Sequence, residues 1–148
     1  MLRMSKLTDY GTVVLAQMAR EPATVFSAAE LAERTGLAPT TVSKLLKALL
    51  RAGILASTRG AHGGYALARP PEQISAVEII DAIEGPVALT ECSTGHSTCT
   101  IQADCSVGGN WQQINLGIRH ALERVSLAEL TRPMAVPLLD LRKHHVHS

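Results

Sequence analysis

Three cysteines, Cys92, Cys99 and Cys105, are separated by six and five residues in a stretch otherwise rich in Gly, Ser and Thr. The odd count and the polar surroundings argue against a disulfide framework in a reducing compartment. Thiolates are soft ligands that suit an iron–sulfur cluster or zinc. The spacings are not the CxxC pairs of common zinc ribbons. On the residues alone three readings stand side by side: an iron–sulfur cluster, a zinc site, or plain thiols. A nucleophilic cysteine would need a base within hydrogen-bond reach, and only His96 is near in sequence, so no catalytic site is expected.

The second chemistry is cationic. Residues 1–70 hold nine Lys/Arg against four Asp/Glu, residues 71–148 hold five against nine, and the whole chain carries +1. No acid lies between Glu33 and Glu72, a stretch that carries Arg34, Lys44, Lys47, Arg51, Arg59 and Arg69. A basic half beside a mildly acidic one points to one surface that meets a polyanion and another with a different task.

The elements that must position these groups follow from periodicity and punctuation. Thr8 is expected to cap a first helix with Tyr10, Val13, Val14 and Met18 on its inner side, ending near Glu21-Pro22. Ser27-Ala-Ala-Glu30 reads as a capping box for a short helix that stops at Thr35-Gly36. Pro39 suits the first turn of a third helix, which runs to Gly53 with Val42, Leu45, Leu46, Leu49 and Leu50 on one side. Its other face offers Thr40, Lys44, Lys47 and Arg51.

Beyond Gly53 the period becomes two. Strands are expected over Ile54–Thr58 and Tyr65–Arg69, joined by the glycine-rich loop from Arg59 to Gly64. Ser75-Ala-Val-Glu78 starts another helix with Val77, Ile80 and Ile83 inside. Periodicity is lost over residues 86–109. A longer helix then runs from Asn110 with Trp111, Ile114, Ile118, Leu122 and Val125 on one side, and Ser126-Leu-Ala-Glu129 starts a last short one. The expected organisation is a DNA-binding region over 1–85, a cysteine-bearing loop over 86–109, a dimerisation helix and short helix over 110–132, and a tail over 133–148.

Helix, short helix, turn, helix and two-stranded wing is the order of a winged helix-turn-helix. The fold class expected is therefore mainly α with a small β wing, plus a long C-terminal dimerisation helix. The third helix joins an apolar face to a face of Thr, Ser, Lys and Arg that suits a major groove. The basic, glycine-rich wing suits phosphates or a minor groove. Double-stranded DNA is the expected partner, through Thr40, Thr41, Ser43, Lys44, Lys47 and Arg59; a winged-helix module that binds only protein is the competing class.

Composition removes other classes. Hydrophobic residues make up 46% of the 148, enough for a real core, while aromatics make up 3%. A single-stranded nucleic-acid platform of stacked rings is thereby disfavoured. No apolar run approaches the ~18 residues of a membrane span, and no secretory leader is recognisable. A soluble, cytoplasmic protein with no membrane association is expected.

Leu7-Thr8-Asp9-Tyr10, the wing run from Arg59-Gly-Ala-His-Gly-Gly to Tyr65-Ala-Leu67, and a three-cysteine loop before a long helix resemble the IscR-type (Rrf family) winged-helix regulators. The resemblance covers roughly residues 1–131. The opening from Met1 to Val14 is most similar to the branch that regulates the SUF iron–sulfur assembly system. The resemblance implies a homodimeric transcription regulator, not an enzyme, with a 2Fe-2S cluster on Cys92, Cys99 and Cys105. A cluster-free or zinc-stapled regulator of redox or nitric oxide stress is the alternative. Family members with the cluster often place a histidine three residues after the third cysteine, where this chain has Gly108. His96 is the nearest replacement for the fourth ligand, with Glu91, Asp104 and Asp9 of a partner subunit's first helix as rivals; an ordinary solvated histidine is the plainer reading of His96. His62 at the wing tip reads more simply as a solvated residue, and His144, His145 and His147 as part of a loose terminus.

Overall fold

Each helix boundary is set by a small number of side-chain and backbone bonds. The computed structural model describes residues 4–88 and 107–133. Cys92, His96, Cys99, Cys105 and the histidines of the tail lie outside the described residues.

Helix α1 spans Lys6–Ala19 with Ser5 at its N-cap, so Thr8 lies inside the helix and does not cap it. Thr8 is buried and its hydroxyl donates to Glu84 Oε1 at 2.6 Å; the Ser5 amide donates to the same oxygen. A carboxylate from a distant helix thus takes the role expected of a local cap, which periodicity alone does not reveal. Val13, expected inside, is exposed, and Gly11 and Leu15 face inward instead. A Cβ on Gly11 would come within 2.3 Å of Ile83 Cδ1, so the inner stripe of α1 is centred on a glycine, which hydrophobic periodicity does not register.

Helix α2 spans Ala28–Thr35, its N-terminus capped by the Ser27 hydroxyl, which accepts from the Glu30 amide at 3.1 Å. It stops at Gly36, whose φ of 72° is the left-handed C-cap conformation. Helix α3 spans Pro39–Arg51 and buries Val42, Leu45, Leu46 and Leu49. These pack with Leu15 and Phe26, also fully buried, to form the centre of the core. Truncating any one of these leucines to alanine would cost about 2–5 kcal/mol.

Strands β1 (Leu55–Thr58) and β2 (Gly64–Leu67) form an antiparallel ribbon, in register from Leu55 opposite Leu67 to Thr58 opposite Gly64. The ribbon is fixed to the body by a further bridge: Phe26 and Tyr65 exchange backbone hydrogen bonds of 2.8 and 2.7 Å. A one-turn 3-10 helix at Pro71–Gln73 leads to helix α4, Ala76–Glu84, which carries the expected capping box between Ser75 and Glu78.

Helix α5 spans Gly108–Glu123, and helix α6, Leu127–Leu130, follows with a capping box between Ser126 and Glu129. The N-termini of α4 and α6 are joined: the Ala76 amide donates to Val125 O at 2.8 Å and the Leu127 amide to Ile74 O at 2.7 Å. The apolar stripe expected on α5 divides along its length. Ile118, Leu122 and Val125 are half-buried within the chain, whereas Trp111 and Ile114 are 45% and 48% exposed.

Candidate nucleic-acid interface

Helix α3 owes its orientation to its leucine face, which is locked in the core and leaves the opposite face outward. Thr40, Lys44, Lys47 and Arg51 are exposed on that face, while Thr41 and Ser43 are half-buried beside it. Arg59 directly follows β1 and is exposed at the start of the wing loop, with His62 further along it. The wing begins where α3 ends: the Ile54 amide donates to Leu49 O at 3.1 Å, so ribbon and helix share one base.

The cations of the acid-free stretch separate into two groups. Arg34 pairs with Glu21 at 3.1 Å and lies over the Phe26 ring, 5.0 Å from its centre. Arg69 pairs with Glu78 at 2.8 Å and also donates to Gln73 O. Arg34, in the last turn of α2, braces that helix against the segment after α1, and Arg69 braces the start of α4. Lys44, Lys47, Arg51 and Arg59 have no ion pair among the described residues. An unneutralised lysine or arginine attracts a phosphate at full strength, so within the acid-free stretch the available positive charge lies on α3 and the wing. Charge counting did not separate bracing from available cations, because the distinction depends on which carboxylates fold beside them.

The described residues that flank 89–106 in the chain are held by Asp81, a carboxylate that sequence reading did not single out. Asp81 accepts from Arg119 Nη1 and Nη2 at 3.1 and 2.8 Å, and from the Val87 amide at 3.0 Å. It therefore gathers both the chain entering residues 89–106 and the helix that follows them. The Asp81 hydrogen bond, with a further Coulombic contribution, outweighs desolvation and raises the Arg119 guanidinium above its ordinary value. Glu84 is held below the usual carboxylate range by hydrogen bonds from the Thr8 hydroxyl, the Ser5 side chain and the Ser5 amide. For Glu78, burial pushes the carboxyl up, but bonds from Arg69 and from the Ser75 amide and hydroxyl together lower it. The i,i+38 separation of Asp81 and Arg119 gave no local signal by which to find the pair.

Among the described residues, no three His, Cys, Asp or Glu side chains gather closely enough to hold a metal ion. Of the donors proposed from sequence, Cys92, Cys99, Cys105, His96, Glu91 and Asp104 fall outside that set, whereas Asp9 lies within it, exposed on the first turn of α1. A largely apolar groove of ≈ 450 Å³ runs between α1, α4, α5 and α6, lined by Met4, Val13, Ala16, Ile80, Leu122 and Leu130. Among the described residues, no helix is long and apolar enough to cross a membrane.

Comparison with known proteins agrees with this architecture. The model of the Rrf2 family, described as iron-dependent transcriptional regulators, matches residues 4–133. The chain is 30% identical over 135 residues to protein rrf2 of Nitratidesulfovibrio vulgaris, covering 88% of each chain. Its fold is similar to CymR, the global cysteine regulator of B. subtilis (TM-score 0.66, 26% identity, 88% of this chain and 97% of that one). It is also similar to T. potens IscR (TM-score 0.63, 30% identity, 87% and 85%). The winged helix, its unpaired cations and these relatives lead to one conclusion: the chain belongs to the Rrf2 family and is a DNA-binding transcriptional regulator, not an enzyme.

Proposed function

We propose that the chain is a homodimeric regulator whose operator affinity depends on an iron–sulfur cluster, of the 2Fe-2S type, held by Cys92, Cys99 and Cys105. The observation that carries this reading is the position of the cysteine segment between two anchored points, the α4 exit at Val87 and helix α5, both bound by Asp81. Three thiolates in a polar segment are the right donors for such a cluster, which supplies soft-ligand redox chemistry. His96 is the proposed fourth ligand, because it lies between Cys92 and Cys99. A non-cysteine ligand can be lost or exchanged without breaking a thiolate bond, which suits a sensor.

Operator DNA is bound by Thr40, Thr41, Ser43, Lys44 and Lys47 from α3, with Arg59 of the wing in a minor groove. Short polar groups near the helix start read base edges, and the lysines hold phosphates. The exposed Trp111 and Ile114 of α5 pair with a second copy, so that two α3 helices face one side of a duplex. In this reading residues 1–85 form the DNA-binding unit, 86–109 the cluster loop, 110–132 the dimerisation element and 133–148 a tail. The proposed targets are iron–sulfur assembly genes of the SUF type, from the resemblance of residues 1–14.

The test is anaerobic purification with iron, sulfide and zinc analysis, followed by operator titration of the wild type and of C92S/C99S/C105S. Iron and sulfide in equal amounts, with a folded triple-mutant dimer whose operator affinity differs by about fivefold or more, is the expected result. Zinc in place of iron, with a triple mutant that unfolds or loses dimerisation, would replace the switch with a structural staple. A folded mutant dimer with unchanged affinity for every operator would refute any switch through these cysteines.

A further inference from the structure

Three glycines lie in the wing loop, which on composition alone describes a slack tether. Its backbone is instead closed into a turn. Strand β1 ends at Thr58, and the last pair of the ladder is Thr58 opposite Gly64. Arg59 is therefore the first residue that the ladder does not hold. The loop beyond it is closed by the Gly63 amide, which donates to Gly60 O at 3.0 Å. Ala61 and His62 are the central residues of this turn, and both are exposed.

Two glycines permit that closure, for different reasons. Gly60 has a φ of 117°, a backbone conformation that other residues rarely adopt, and open space where a Cβ would stand. Gly63 has no positive φ, so its constraint is space alone. A Cβ on Gly63 would overlap the Thr58 carbonyl oxygen and lie 2.9 Å from Arg59 C and 3.0 Å from Gly60 N. All three are backbone atoms, which no change of rotamer moves aside. They belong to the two peptide units that flank Arg59. Those two planes set the direction of the Arg59 Cα–Cβ bond, so contact with both fixes where the side chain starts. A group held in its bound direction loses less freedom on binding, and more of the contact shows as affinity.

We infer that Gly63 is the positioning residue for Arg59: its bare backbone, packed against both peptides of the arginine, aims that side chain before DNA arrives. The consequence for affinity rests on the Arg59 contact proposed above, whereas the rigidity of the turn does not.

Backbone relaxation of the free, full-length protein tests the turn without DNA. Amides of residues 59–63 are expected to have order parameters above about 0.7, nearer the rigid limit of ~0.85 than the flexible one of ~0.6. Lower values across the loop overturn the inference, because the wing would then be a slack tether.

Binding tests the positioning, with a duplex selected by the wild-type protein from a random-sequence library as the probe. Gly63→Ala and Arg59→Ala are each expected to weaken binding by about fivefold or more. The double variant is expected to bind within about twofold of Arg59→Ala, because a misdirected arginine and a missing one lose the same contact. The losses of Gly63→Ala and Lys47→Ala should instead multiply, since Lys47 stands on α3. Losses that multiply with Arg59→Ala overturn the positioning role, as does a Gly63→Ala protein with wild-type affinity. Undiminished affinity in Arg59→Ala removes the DNA contact and the role of Gly63 with it, while the order parameters still decide whether the turn is rigid.

Melting separates a local effect from a detached wing. Gly63→Ala is expected to melt within about 4 °C of wild type, since the Phe26–Tyr65 bonds that hold the ribbon do not involve residues 59–63. A larger fall means that the whole ribbon has left the body, and overturns the assignment of the lost affinity to Arg59.

Discussion

Replacing Gly64 with alanine should unfasten the wing from the body. A Cβ at this position would lie 2.2 Å from Phe26 O and 2.7 Å from Phe26 C, both backbone atoms that cannot rotate away. The nearest relief is to part β2 from residue 26, which breaks the two hydrogen bonds between Phe26 and Tyr65, 2.8 and 2.7 Å long. A backbone hydrogen bond contributes ~0.5–1.5 kcal/mol net, so the pair amounts to about 1–3 kcal/mol. For a chain of this size each kcal/mol lowers the melting temperature by ~2–4 °C, which gives a fall of roughly 2–12 °C. Circular dichroism melting measures it, and operator titration should show weaker binding, because Arg59 sits on the displaced ribbon. Gly109→Ala is the control, since a Cβ there meets nothing within 4 Å; it should melt as the wild type does or slightly higher. A Gly64→Ala protein that melts within about one degree of wild type and binds operator undiminished would refute the argument from close approach.

Lys47→Ala should weaken binding to operator and random duplex alike and reduce the salt dependence of log K by about one unit, whereas Thr41→Ala should change base preference; equal losses on both duplexes for Thr41→Ala would count against base reading by that residue. Arg59→Ala should cost about 1–3 kcal/mol of operator affinity, and an unchanged affinity across a salt series would take Arg59 out of the interface. Glu84 and Glu78 have folded values below their ordinary 4.5, so the stability they contribute is fully present above that value and is lost as pH falls through the lowered folded values. The stability gap between wild type and Glu84→Gln should therefore be widest near neutrality and close in acid; urea titrations at stepped pH would show it, and a gap that does not narrow in acid would contradict the Ser5 and Thr8 bonds.

Local rules made much of this protein legible from its sequence. Ser27, Ser75 and Ser126 each precede a glutamate by three residues, and all three hydroxyls accept that glutamate's amide in the structure. Pro39 and Gly36 mark helix ends for reasons contained in their own φ preferences. The leucine spacing of α3 determines which of its faces is buried and so which residues face outward. The cysteine spacing and the wing residues carried the family resemblance, which the match over residues 4–133 bears out.

Tertiary structure decided what depends on residues far apart in the chain. Thr8 became a buried donor to Glu84, and Arg69 and Arg34 became braces, because carboxylates from other elements arrive beside them. The apolar stripe of α5 is uniform in sequence, yet among the described residues its C-terminal half is the more buried, because Asp81 of the nine-residue α4 lies opposite Arg119. Periodicity reports that a face is apolar; whether its own chain covers that face is decided by the length and placement of the neighbouring helix.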